Sequence, residues 1–146
     1  MSRTDIDARH MQRCRALAEE AGSAGNTPVG SLIAVGSEVV AEASEAVPAG
    51  PDPFAHAELL AVRDAMSRLG RTLPDGVTLY TTHEPCFLCS FAAREAGIRR
   101  VVIGAPTPDI GGVTSSYPIL VAADVHRWKE PPVVVWWVDE SEGAGE

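Results

Sequence analysis

No apolar run in this 146-residue chain is long enough to span a bilayer. Its start, Met1-Ser2-Arg3-Thr4-Asp5, lacks the basic and apolar regions of a secretory signal, so the expectation is a cytoplasmic protein without a membrane partner. Cysteine is scarce, with three in all. Two of them, Cys86 and Cys89, lie three positions apart, so no disulfide framework is expected and Cys14 reads as a small buried hydrophobe. Basic residues are also few, 12 against 20 acidic ones, for a net charge of −8. The cations are scattered, and their one cluster, Arg94, Arg99 and Arg100, reads as solvated surface. A phosphate backbone normally needs a basic face, so composition argues against nucleic acid as a partner. With 45% hydrophobic and 22% charged residues, the chain suits one domain with a proper core over residues 1–139, followed by an acidic tail over 140–146.

Against this plain background stands one dense constellation. His56-Ala57-Glu58 and, further on, Pro85-Cys86-Phe87-Leu88-Cys89 supply three zinc-type ligands and a spare carboxylate. A structural zinc normally takes four protein ligands, whereas one His and two Cys leave the fourth tetrahedral position open. An open position points to hydrolytic chemistry with one Zn2+ per chain. Two thiolates cancel the charge of the ion, so an acid is needed nearby to hold the proton of an activated water, and Glu58 is placed to do so. Cys86 and Cys89, spaced i,i+3 behind Pro85, present both sulfurs on one face at a helix start, where the positive dipole end favours thiolate. A CxxC pair alone also fits a redox motif or half of a structural zinc site. Together with the upstream His and Glu it favours a catalytic metal.

The remainder reads as alternating helix and strand. A first helix is expected over residues 5–24, capped from Thr4 and Asp5. Strands over 29–35 and 38–43 form a hairpin at Gly36-Ser37, and a proline-rich loop over 47–53 leads into a second helix over 55–69. A strand over 77–82, a helix over 87–97 and a strand over 100–104 make a βαβ crossover, which places both ligand-bearing helix starts at the carboxyl ends of the strands. Residues 105–132 are expected to be loop-rich with a short helix near 118–124. A last strand over 133–138 then lies parallel to its neighbour. Trp136 and Trp137 must face opposite sides of it.

The HxE and PCxxC motifs, with Thr27-Pro28-Val29-Gly30, Leu79-Tyr80-Thr81-Thr82-His83-Glu84-Pro85-Cys86 and Ile98 to Gly104, resemble the zinc-dependent cytidine deaminase-like superfamily. The likeness is to its branch of tRNA adenosine deaminases, guanine deaminases and yeast-type cytosine deaminases, over residues 5–105. It implies a three-layer α/β/α sandwich on a five-stranded mixed sheet and a homodimer. It further implies hydrolytic deamination of an amino-substituted nucleobase or related heterocycle, with His56, Cys86 and Cys89 on zinc and Glu58 carrying protons. The branch usually has an Asn where this chain has Glu45. A carboxylate only accepts, so Glu45 favours a small ring rich in N–H donors: guanine-like, cytosine-like, pterin-like or aminotriazine-like. Asn26, the main-chain N–H of Ala57 and Asp109 are further candidate substrate contacts. Glu84 is expected to cap the Cys-bearing helix, and His83 to line the site without joining the metal. Two alternatives remain open: tRNA adenosine deamination, and a non-catalytic, zinc-stabilised binding module.

Overall fold

The computed structural model describes residues 1–138, so residue 139 and the acidic tail lie outside the described residues. Its elements are α1 (Arg3–Ser23), β1 (Gly30–Val35), β2 (Glu38–Ser44), α2 (Ala57–Leu69), β3 (Val77–His83), α3 (Phe87–Glu95), β4 (Arg100–Ala105) and β5 (Val133–Trp136). The sheet runs β2-β1-β3-β4-β5. β1 is antiparallel to both neighbours, while β3, β4 and β5 are mutually parallel. This is the expected mixed sheet, and the layers follow from the strand alternation. Ile33, Leu79, Val101 and Ile103 pack on one face against Ala61, Val62 and Ala65 of α2 and Ala93 of α3. Leu32, Tyr80 and Val102 pack on the other face against Met11 and Cys14 of α1.

Three local expectations are corrected, two of them in part. The cap of α1 is Ser2, whose hydroxyl accepts from the N–H of Asp5 while the Asp5 carboxylate accepts from the N–H of Ser2, closing a capping box. No helix forms near residues 118–124. The N–H groups of Val121 and Ala122 both turn back on the carbonyl of Pro118, but the neighbouring backbone groups are already engaged elsewhere. Leu120 donates to Gly112, and the Ile119 carbonyl accepts from Arg94. The basic cluster is the third. Arg94 is buried, donating to the carbonyls of Ile119 and Lys129 with its guanidinium 4.2 Å from the Trp128 ring centre. Arg100 pairs with the buried Asp7, while Arg99 stays on the surface as expected, in an exposed pair with Glu130.

Asp7 and His10 occupy inward positions on α1 that a plain amphipathic helix would fill with apolar groups. The reason lies across the sheet. Asp7 takes the Tyr80 hydroxyl at 2.5 Å and both guanidinium nitrogens of Arg100 at 2.9 and 2.6 Å, while His10 packs on the Tyr80 ring. Burial pushes the Asp7 carboxyl up, but the bonds from Arg100 and Tyr80 outweigh it and hold the carboxyl below its ordinary value of 3.8. A carboxyl with a lowered folded pKa stabilises above its unfolded value and loses that contribution as pH falls below it. Thermal stability is therefore expected to drop below about pH 4 with Asp7 as one contributor. Asp7→Asn is expected to cost about 3 kcal/mol at neutral pH by leaving Arg100 unpaired. Denaturant melts of both proteins across pH check this.

Candidate active site

Parallel strands bring ligand-bearing loops to their carboxyl ends, and here two helix starts meet at that edge. His56 is the N-cap of α2, and Glu58 lies in the first turn of that helix. Cys86 is the N-cap of α3, with Cys89 three positions in. The Nδ1 of His56 lies 3.5 Å from each sulfur, and the three ligand atoms fall within 4.8 Å of one another. A tetrahedral Zn2+, with Zn–S of about 2.3 Å and Zn–N of about 2.0–2.1 Å, sets nitrogen and sulfur roughly 3.6 Å apart. The donor set thus fits zinc in kind and in spacing. The Cys86 sulfur is held as thiolate, lowered to about 5, first by the Cys89 S–H and then by the Cys89 backbone N–H and His56, against burial. Cys89 is pushed up as the donor of that bond and by burial. The pair shares one proton, which a cation displaces on binding.

Glu58 is 5% exposed. Burial pushes its carboxyl up to about 7, against the pull of its own backbone N–H and the Thr81 hydroxyl, while the charges of Glu45 and Cys86 add to the rise. A buried carboxyl near 7 is matched to giving and taking protons at neutral pH. Glu45 is also buried, and its Oε1 accepts the N–H of Ala57 at 2.6 Å. Two consequences follow. Glu45 faces the site and not solvent, and the Ala57 N–H is already committed to it. Burial raises the Glu45 carboxyl, with the Ala57 N–H and His56 pulling it back.

The other candidates divide. Asn26 serves the loop after β2, its Oδ1 accepting the Ala49 N–H at 2.7 Å. Asp109 is exposed in left-handed backbone (φ 69°) on a loop that a bridge between Gly111 and Cys86 ties to the metal turn. His83 bonds Thr82 and stands outside the ligand cluster. Glu84 does not cap α3. It is buried and accepts from the N–H groups of Thr107, Val113 and Thr114 and from the Thr114 hydroxyl, which lashes the 107–114 loop to the Cys86 turn. A Cβ on Gly111 would run into that carboxylate. Gly30 lets the α1 backbone at Cys14 and Ala18 approach β1. A cavity of about 1080 Å³ between α1 and β5 includes none of the metal-site residues.

The sequence matches the model of the cytidine and deoxycytidylate deaminase zinc-binding region over residues 4–105, and the chain belongs to this family. Its cofactor is Zn2+, and His56, Cys86 and Cys89 form a cluster that could hold it. The tRNA-specific adenosine deaminase of Aquifex aeolicus is 39% identical over 103 residues, 70% of this chain and 68% of that protein. Among solved structures, one of a tRNA:A34 deaminase from work on A-to-I editing superposes with a TM-score of 0.79 at 30% identity, covering 89% of this chain and 98% of that one. The guanine deaminase of Bacillus subtilis gives a TM-score of 0.63 at 35% identity, over 68% of this chain and 64% of its own.

Proposed function

We propose that this protein is a zinc-dependent hydrolytic deaminase that converts adenosine in tRNA to inosine. The observation that carries the choice of substrate is the likeness to the tRNA:A34 deaminase, which spans nearly all of that chain. The surface beside the site supports it. Phe54, two residues ahead of the metal-binding His56, is 60% exposed, and Tyr117, edge-on to Phe87, is 68% exposed. Aromatic faces of this kind stack on unpaired bases of RNA loops. When bound, zinc supplies Lewis-acid activation of a water nucleophile. His56, Cys86 and Cys89 hold it. Glu58 takes one proton from the attacking water and delivers it to the ring nitrogen, then moves the second proton of that water to the departing amine, so the carbon–nitrogen bond breaks, ammonia leaves and oxygen takes its place on the ring carbon. As an enzyme of tRNA it works in the cytoplasm. The exposed Leu88 and Phe91 on α3 suit a homodimer contact.

A second reading, deamination of a small free heterocycle, is favoured by Glu45. Its carboxylate already holds the Ala57 N–H, so a ring entering beside it gains by offering N–H donors, as guanine-like or pterin-like edges do. The net charge of −8 and the internal commitment of Arg94 and Arg100 point the same way. Zinc-replete protein is tested on an anticodon stem-loop with adenosine at the wobble position, and on free guanine, cytosine, adenine, a pterin and an aminotriazine. Inosine in the stem-loop, with the free rings untouched, is the expected result. Ammonia from a free ring alone would replace the first reading with the second, and Glu45→Asn should then weaken that ring. A zinc-loaded protein silent on every substrate would favour a non-catalytic binding module.

A further inference from the structure

Two hydroxyls stand where the core is otherwise apolar. Ser31 on β1 and Thr81 on β3 are register partners and fully buried, on the sheet face that presents Ile33, Leu79 and Ile103 to α2. Burying a hydroxyl is costly unless it is bonded, and valine or alanine would fill these places without that cost. The bonds they make run in one direction. Ser31 Oγ donates to Thr81 Oγ1 at 2.9 Å, and Thr81 Oγ1 donates to Glu58 Oε1 at 2.9 Å. The backbone carbonyl of His83, 3.0 Å away, is the other acceptor within reach of the Thr81 proton.

We propose that Thr81, oriented by Ser31, is a positioning residue that anchors Oε1 of Glu58 and thereby directs the transferable proton to Oε2. A hydroxyl has one proton and two lone pairs. The Ser31 bond fills one lone pair of Thr81 and turns its proton away from β1, toward Glu58. An oxygen that already accepts a hydrogen bond is the poorer place for a new proton, so the proton taken from water resides on Oε2. Oε1 keeps its bond whether the carboxyl is charged or neutral. Glu58 then exchanges protons through one oxygen without swinging, which preserves its orientation through both transfers. Thr81 is itself fully buried and acts through Glu58 alone. The inference rests on the deaminase reading of Glu58.

The test compares zinc-replete wild type, Thr81→Val, Thr81→Ser and Ser31→Ala on the stem-loop substrate. The carboxyl infrared bands of each are recorded without substrate, with Glu58→Gln identifying the band of Glu58. Thr81→Val is expected to lower kcat about tenfold to a hundredfold, the size of a lost bond to a charged group, with KM and zinc content unchanged. Thr81→Ser should restore both kcat and the wild-type band, and Ser31→Ala should show a smaller loss with a smaller band shift. Wild-type kcat in Thr81→Val, or a loss that Thr81→Ser does not restore, overturns the proposal. An unshifted Glu58 band in Thr81→Val overturns it as well. The infrared comparison needs no turnover, so a wild type inactive on the stem-loop counts against the substrate reading and leaves the band to decide the role of Thr81.

Discussion

Glu58→Gln is expected to reduce deamination by a factor on the order of 10²–10⁴ while leaving zinc content at the wild-type level. The carboxyl is not a member of the ligand cluster, so the metal site keeps His56 and both sulfurs. The amide oxygen of Gln can still accept from Thr81, which keeps the side chain in place and isolates the loss of proton transfer. Stability should move the other way. A carboxyl raised from 4.5 to about 7 in the folded protein contributes most when protonated, and that contribution fades as pH rises through this window. Metal-free Glu58→Gln, with no charge to bury, should therefore unfold at a higher temperature than the metal-free wild type at pH 8 and lose the advantage at pH 4. A variant with normal turnover would remove Glu58 from the chemistry.

The second large effect concerns the metal. Cys86→Ser replaces a thiolate that is preformed at about 5 with a hydroxyl that does not ionise in this range. Zinc content and turnover should both fall to background. Chelation of the wild type should do the same, but reversibly, with activity returning on addition of Zn2+ and not with Mg2+, which prefers oxygen ligands. A ligand present at a thousand times its dissociation constant adds about 4 kcal/mol to stability. For a domain of this size the melting temperature should fall by roughly 10 °C on chelation. An unchanged melting temperature and unchanged activity after verified zinc removal would contradict the assignment.

Much of this was legible because the chemistry is written in close-spaced residues. His56 with Glu58, and Cys86 with Cys89, each start a helix, and spacing at a helix start determines which side chains converge. Strand alternation separated the roles of Trp136, partly exposed, and Trp137, packed on the α1 side of the sheet. The features that stayed hidden depend on distant partners. Asp7 and His10 look misplaced on α1 until Tyr80 and Arg100 arrive from the sheet. Glu84 reads as a local cap, yet its bonds run to residues 107–114. Arg94 reads as surface because nothing local shows that the residue 105–132 connection would wrap over it. Thr81 left one faint signal, two adjacent threonines near the end of a strand that runs into the metal turn. The face of Glu45 could not be read at all without the Ala57 N–H that it holds.

The central claim is hydrolysis at a zinc site served by Glu58, and one isotope measurement addresses it directly. Zinc-replete protein is incubated in H₂¹⁸O with the adenosine stem-loop and the panel of free rings, and the products are weighed by mass spectrometry. The account predicts ammonia release with one ¹⁸O at the carbon that lost its amine, abolished by chelation and by Glu58→Gln. Deamination that proceeds without zinc or without Glu58, or a product that carries no solvent oxygen, would contradict it.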